Sequence, residues 1–496
     1  MAIGAAAWIA GARHRFFDYD EIYHAHATWL IARGERPFHE FLGSHSPLLW
    51  YALAPLWRVL PDSPASLLPL RGIAATGTAV SIASMTLAWS AVRPELPVGW
   101  LLLGIAAVAF SADVLDFGLE FRPDSWSTAL LFLAFYLLLT RRPGGSLLRV
   151  STFGCLAGVA VLASPKFLLL PVLFVATDLV ERARQGAHLF RAALGYTVGA
   201  ALAVLIVLAV LLLARIDPIL AFQMAITYQW DFATHSAFGH GLLQAVLARP
   251  FLLTLVGAGI LGWCAHLAAT RRPPHAYEVA VLLFLASQLA IVDRPYKQYY
   301  APWFLLAACF VPFAGLSLER LSVRAAPWCF GLALVVSASI AWSARHSLAG
   351  DDQAHRMLGF YDRIARWSAG DAPIAAYPPL HPVVRPDVFY AWNRTTDPAG
   401  RGTEHVMRAL DIPGYRERFE RAYYRRELEA RPPAVIVSPL DDNWTYEPEQ
   451  WAALREFLAA NRERYVLLDR GLVRPVWVGR DRLDAAAIEQ FTSSPR

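Results

Sequence analysis

Charge is the scarce commodity in this chain: 17% of its residues are Asp, Glu, Lys or Arg, against about 25% in an ordinary soluble protein. The deficit excludes a plain soluble domain as the whole account. Cysteine is scarce as well. The four present, Cys155, Cys264, Cys309 and Cys329, all sit in apolar segments. None has metal-ligand spacing, so they read as small buried hydrophobes and say little about redox compartment. There is no P-loop, no Rossmann fingerprint and no His-Glu metalloprotease motif, so nothing points to a nucleotide site. The formal charge of +5 reads as arginines in short loops plus a basic tail, not as a nucleic-acid surface.

What fills the chain instead is apolar. Hydrophobic residues make up 56% of the 496, with 17 Trp and 27 Phe, and apolar blocks occupy most of 67–342. Residues 350–496 are rich in Arg, Glu, Asp and Pro. This asymmetry predicts a polytopic α-helical membrane domain over 1–345 and a soluble C-terminal domain over 350–496, long enough for its own core. Residues 1–12 read as the end of a first membrane helix, shorter than the roughly 20 residues a crossing needs, as a late start would leave it.

Candidate spans fall at 67–89, 98–115, 125–140, 150–164, 167–180, 190–214, 243–269, 277–292, 299–317 and 326–343, about 11 crossings with the first helix. The loops after alternate spans carry Arg93; Arg141, Arg142 and Arg149; Arg182 and Arg184; Arg271 and Arg272; Arg320 and Arg324. Short basic loops belong in the cytoplasm. The other set, 13–66, 116–124, 165–166, 215–242, 293–298 and the tail, then faces outward. In the first outward loop, Trp50, Tyr51 and Trp57 of 46–57 suit the headgroup layer. Tyr228, Trp230, Asp231 and His235 ride on another.

Titratable chemistry gathers on that outward set. The stretch "FFDYDEIYHAHATWL" (16–30) predicts a helix carrying Asp20, Glu21 and His24, with Asp18 at its head. Residues four apart are neighbours on a helix, so Asp20 and His24 share an aspect. Asp18 serves equally as an N-cap. Asp20 suits a general base, Asp18, Asp20 and His24 are weak candidates for a divalent metal, and His26 is compatible with one too, although no complete ligand set follows from their spacing. A second acidic site, "DVLDFGLEFRPDSW" (113–126), sets Asp124 behind Arg122 and Pro123 at the head of a span. An acid there caps orphan amides, yet a charge at a membrane rim also calls for a cavity or a partner. Lys166 occupies a tight outward hairpin, and "DRPYKQYYAPW" brings Arg294, Lys297 and Tyr299 to another rim. Snorkelling to headgroups explains single cations. Their recurrence on the acidic face fits a phosphate-bearing lipid.

Taken together these motifs resemble the GT-C class of polytopic glycosyltransferases. The bacterial branch in question includes the lipid A aminoarabinose transferase, the lipopolysaccharide galacturonosyl transferases and relatives of protein mannosyltransferases. Its first outward loop opens with an Asp-Glu pair, here Asp20 and Glu21, and runs through G-x-x-P, here Gly34 and Pro37, to a basic Pro-Pro-Leu-x-Tyr-Trp segment. That segment appears here as "HSPLLWY", with His45 in place of the usual lysine. Arg122 and Asp124 are similar to the family's Arg-x-Asp pair, Lys166 to its outward-turn lysine, and "YKQYYAPW" to a late basic segment.

The resemblance implies a bacterial inner-membrane enzyme with its active site and a small C-terminal α/β domain in the periplasm. It would transfer a sugar, with inversion, from a polyprenyl-phosphate donor to an envelope hydroxyl on lipid A, lipopolysaccharide core, another glycan or a protein. Asp20 would be the base, Asp124 would orient the acceptor or share that role, and Lys166, Arg294 and Lys297 would stabilise the departing phosphate. His45 and Arg122 would position phosphate or sugar. No cofactor beyond a possible divalent metal is implied, and oligomeric state is left open. Two rivals stand beside it: a transporter or flippase of a lipid-linked substrate, and a catalytically silent assembly protein on the same fold. In the tail, "DAPIAAYP", "PPAVIVSP" and "RYVLLDRGLVRPVWVG" predict strands and "EQWAALREFLAA" a helix. His381, Arg385, Tyr390 and Trp392 are candidates to touch the acceptor.

Overall fold

The structure, a computed structural model, describes residues 2–43, 45–140, 147–186, 188–227, 240–321, parts of 331–342, 352–368, 370–389, 416–437, 448–469 and 475–483. Tyr228, Trp230, Asp231, His235, Arg141, Arg142, Arg324, Cys329, Tyr390 and Trp392 lie outside the described residues, as does most of the 326–343 span. Two compact units emerge. The first comprises 1–15, 71–211 and 225–352, and the second 16–70, 212–224 and 353–496. Compactness therefore groups residues 16–70 with the C-terminal residues, a division that composition does not reveal.

The first unit is helical because its apolar runs offer no strand period and no turn chemistry inside them. Among the described residues, four helices are long and apolar enough to cross a membrane: Pro64–Val92, Leu189–Leu213, Pro250–Thr270 and Lys297–Glu319. Shorter apolar helices include Pro123–Leu139, Leu147–Ala163 and Ala276–Ile291. Phe190, Leu205 and Leu213 on the second long helix stay exposed, as expected of a surface meant for lipid. Packing between helices follows the small-residue rule. A Cβ on Gly199 would lie 2.1 Å from the Ser151 carbonyl oxygen, so the helices Leu147–Ala163 and Leu189–Leu213 meet at bare backbone.

Three sequence-based expectations are corrected here. The 98–115 span is two helices, Val98–Ala109 and Ala112–Leu119, bent by 74°. The second piece carries Asp113 and Asp116, whose partners are Arg249 and Arg15, and its charges are met by turning away from the first axis. The 243–269 span breaks at Ala248 and Arg249 into Gly241–Leu247 and Pro250–Thr270, where Pro250 supplies a helix start. Arg93 and Arg182 are not simple loop charges: both are buried, Arg93 against Glu278 at 2.5 Å and Arg182 against Asp178 at 2.6 Å. Their presence reports packing as much as sidedness.

The second unit holds a four-stranded sheet in the order β1-β2-β4-β3. Its strands are β1 (Ile374–Ala375), β2 (Val435–Val437), β3 (Tyr465–Asp469) and β4 (Val476–Gly479). β1 pairs parallel with β2, while β4 is antiparallel to both β2 and β3. These are the apolar runs marked in the sequence. The helices Arg421–Ala430 and Pro448–Ala460 supply Tyr424, Leu428, Leu454 and Phe457 to the core, where they join Ile436 and Tyr465.

Candidate active site

The helix Tyr19–Ala32 sits in the second unit and starts where the sequence says it should. Asp18 is its N-cap, with its side chain accepting from the Asp20 amide at 3.1 Å and Glu21 Oε2 accepting from the Asp18 amide at 3.4 Å. This reciprocal capping box satisfies two orphan donors. Glu21 is thereby buried in the helix start, and Asp20, one residue before it, is half-buried. Gly34, at φ 93°, ends the helix in a conformation that favours glycine.

An aromatic and imidazole cluster backs this helix. Trp50 is fully buried, correcting its placement at the headgroup layer, because its indole N–H donates to His24 Nδ1 at 2.9 Å. His24 and His45 meet ring to ring at 4.7 Å, and Tyr23 lies 5.3 Å from His45. Gly43 makes room: a Cβ there would lie 2.6 Å from the Trp50 ring. With Nδ1 accepting from Trp50, neutral His24 carries its hydrogen on Nε2 and presents no lone pair to an ion. Asp18 is committed to the cap. The donor set Asp18, Asp20 and His24 does not fit a metal in this geometry.

The first unit contains the other sequence candidates, built around two buried acids. Asp124 stands in the first turn of Pro123–Leu139, where Pro123 begins the helix. Its carboxylate accepts from Lys166 Nζ at 2.8 Å and from Ser164 Oγ at 2.8 Å, and the Arg122 guanidinium lies 3.4 Å away. Lys166 is delivered by the short turn Pro165–Phe167 and also donates to the Gln298 carbonyl at 2.6 Å. Glu120, fully buried, gathers Arg15 at 2.6 Å, Arg122 at 3.3 Å and Lys297. Arg294 is buried too, and both it and Arg122 act electrostatically on Tyr299.

Among the described residues, the ion pairs of this cluster involve more cations than carboxylates. Arg15, Arg122, Lys166 and Lys297 face Asp116, Glu120 and Asp124, four cations against three carboxylates before Arg294 is added. Isolated charges at a membrane helix are costly and are retained where they pair or serve a substrate. Beside Lys166 opens a pocket whose walls include Phe132, Phe167, Leu170, Phe284, Tyr299 and Trp303. The Lys166 ammonium lies 5.0 Å from the centre of the Tyr299 ring. A cationic rim on an apolar pocket suits a ligand with an anionic head and a hydrocarbon tail.

Arg122, Asp124, Lys166, Lys297 and Tyr299 are thus brought together, as are Glu21 with Asp18 and His24 with His45. Asp20, His24 and His45 fall in the other compact unit from the cations. Sequence reasoning passed over Glu120, Arg15, Asp116 and Ser164. A signal existed for the acids: Asp113, Asp116 and Glu120 follow at spacings of three and four, which align on one helical face.

The fold is that of the GT-C glycosyltransferases. ArnT from Cupriavidus metallidurans, in a crystal structure bound to undecaprenyl phosphate, superimposes with a TM-score of 0.61 at 14% identity. The match covers 98% of this chain and 97% of that one. The apo form of the same ArnT gives 0.57 at 13% identity over 100% and 98% of the two chains. The apo oligosaccharyltransferase of Archaeoglobus fulgidus gives 0.55 at 14% identity, over 89% of this chain and 69% of that one. No protein-family model matches the sequence, and no curated protein matches it.

Proposed function

We propose that the protein is an integral membrane glycosyltransferase that moves a sugar from a polyprenyl-phosphate donor to an envelope hydroxyl. The observation that carries the reading is Lys166: it pairs with Asp124 inside a cation-rich cluster and stands at the rim of an apolar pocket. The likeness to an ArnT bound to undecaprenyl phosphate, over nearly the full length of both chains, supports it.

In the reaction, Asp20 takes the proton of the acceptor hydroxyl as its oxygen bonds to the anomeric carbon. The bond from that carbon to the phosphate oxygen breaks, polyprenyl phosphate leaves, and a single displacement inverts the centre. Lys166, Arg294 and Lys297 hold the developing phosphate charge, and such preorganised cations favour the transition state over the ground state. Asp124 fixes Lys166 and orients the acceptor, Arg122 and Tyr299 line the donor's head, and His45 positions the sugar. Glu21 and His24 support the helix that carries Asp20. On this reading the chain crosses the bacterial inner membrane about 11 times, residues 1–345 form the catalytic domain, and 350–496 form a periplasmic α/β domain. Lipid A, lipopolysaccharide core, another glycan and protein are the acceptor classes.

The test uses purified full-length protein, an isotopically labelled polyprenyl-phosphate sugar and a membrane lipid extract. Transfer of label into a new covalent product with inverted configuration is the expected result. Movement of the donor across vesicles with no product would overturn the reading. Mass spectrometry of envelope glycans from a deletion strain should show a repeatable deficit of one sugar and so name the acceptor.

A further inference from the structure

A second buried polar cluster lies wholly within the second unit and contains none of the residues given roles above. His26, on the helix Tyr19–Ala32, is fully buried; its Nδ1 is 2.5 Å from the Val383 carbonyl oxygen and its Nε2 is 2.8 Å from Asp387 Oδ2. His381, also fully buried, accepts the Val383 amide on Nδ1 at 3.0 Å and places Nε2 3.3 Å from the same Asp387 oxygen. The two rings stand 4.0 Å apart. Between them Val383 adopts φ 69°, a conformation that is a genuine outlier for a β-branched residue.

The hydrogens can be assigned from the partners. A carbonyl only accepts, so His26 Nδ1 carries a hydrogen. An ionised carboxylate also only accepts, so one proton must lie between His26 Nε2 and Asp387. Burial and the neighbouring His381 push His26 toward losing that proton. The two acceptors flanking its ring decide the matter, since two lone pairs cannot face each other at 2.8 Å. Burial also pushes the Asp387 carboxyl up, but His381 and His26 outweigh it and hold it below its ordinary value.

His381 is the reverse case: Nδ1 accepts, so its hydrogen is on Nε2, which lies 3.3 Å from Asp387 Oδ2 as an electrostatic contact without hydrogen-bond alignment. This tautomer matters, because the three side chains also lie close enough to one another to hold a metal ion. A metal would need the Nε2 lone pair of His381, which is occupied by hydrogen while Nδ1 takes the Val383 amide. The His26 contact with a carbonyl resembles the outer support of a metal-bound histidine, but His381 does not fit.

The same segment holds the helix a second time. The Tyr19 hydroxyl donates to the Tyr377 hydroxyl at 2.9 Å, with ring centres 5.5 Å apart. Tyr19 and Tyr377 at one point, and His26 with Val383 and Asp387 at the other, bracket Asp20 along the helix.

We infer that His26, Asp387 and His381 form a shared-proton clamp that fixes the Asp20 helix to the 377–388 segment, making them positioning residues for sugar transfer. The inference rests on the function proposed above, because it gives Asp20 the reacting role. Misplacing a reacting group by about 1 Å can cost on the order of 100-fold in rate. The clamp therefore acts on turnover more than on donor binding, which belongs to the cations of the first unit.

The test compares Asp387→Ala and Asp387→Asn in full-length protein in lipid nanodiscs. Donor KM, kcat, hydrogen–deuterium exchange over 19–32 and bound metal are read together. Asp387→Ala should lower kcat on the order of 10- to 100-fold, leave the KM for a labelled polyprenyl-phosphate sugar within about 2-fold, and speed exchange across 19–32. Asp387→Asn keeps a side-chain amide that can still hydrogen-bond His26 Nε2 and loses only charge, so its losses should be clearly smaller. Equal losses in Asn and Ala, with stoichiometric zinc in the wild type that disappears in both, would overturn the clamp in favour of a metal site. Unchanged exchange over 19–32 in Asp387→Ala would overturn it outright. If the wild type transfers no sugar, the proposed function fails, while the exchange and metal readings still decide the clamp.

Discussion

Lys166 Nζ stands 2.8 Å from Asp124 Oδ1, on a carboxylate that also accepts from Ser164. The pair joins the head of one apolar helix to the turn before another, and it places the cation at the rim of an apolar pocket. Its energetic logic is local: each charge makes the other tolerable among buried neighbours. Its chemical consequence is a lysine held in a fixed position instead of sweeping through solvent.

Lys166→Ala should therefore weaken binding of polyprenyl phosphate by about 10- to 100-fold, the worth of a hydrogen bond to a charged group. Equilibrium binding of a fluorescent polyprenyl phosphate measures it. Unaltered affinity would remove Lys166 from the phosphate site.

Glu120 is the keystone of the neighbouring cluster, with Arg15, Arg122 and Lys297 around it. Glu120→Gln leaves three cations facing a neutral amide and should destabilise the protein by roughly 3–5 kcal/mol, as removal of one partner from a buried ion network does. Thermal unfolding in detergent reads the change. A variant as stable as the wild type would mean that the cations find compensation elsewhere.

Trp50→Phe keeps the ring packing and removes the donor to His24 Nδ1. Leaving a buried imidazole nitrogen without that hydrogen bond should cost about 1–3 kcal/mol. Denaturant-induced loss of the 16–70 fold, followed by hydrogen exchange, tests the value.

Asp387 supplies a prediction with a definite sign. Its carboxyl is held below its usual value, so its ionised form stabilises the fold above the unfolded-state pKa of about 3.9, and that contribution fades as pH falls through the lower folded value. The stability gap between wild type and Asp387→Ala should be full near neutrality and shrink below about pH 4. A gap that widens on acidification contradicts the ion-pair description.

Much of this was legible in the residues. Asp18 ahead of an apolar helix with Glu21 three positions on is a start signal that the structure reproduces atom by atom. Arg122, Asp124 and Lys166 were visible as charges where apolar spans begin and turn, and the C-terminal runs became strands. Other features carry no local mark. His26 and Asp387 are separated by 361 positions, and nothing in either neighbourhood names the other. Arg93 in a short basic loop looks the same whether it faces water or is buried against Glu278. The bend between Val98–Ala109 and Ala112–Leu119 has neither proline nor glycine at the break; the acids that follow find partners on distant segments. Pairing across the chain, not composition, decided these cases.

The measurement that bears most directly on the central claim takes donor binding and sugar transfer from one preparation of Asp20→Asn. A carboxamide keeps the shape of the side chain and cannot take the acceptor's proton. Polyprenyl-phosphate affinity should match the wild type while transfer of labelled sugar falls on the order of 100-fold or more. Transfer at the wild-type rate by a folded Asp20→Asn protein would contradict the account.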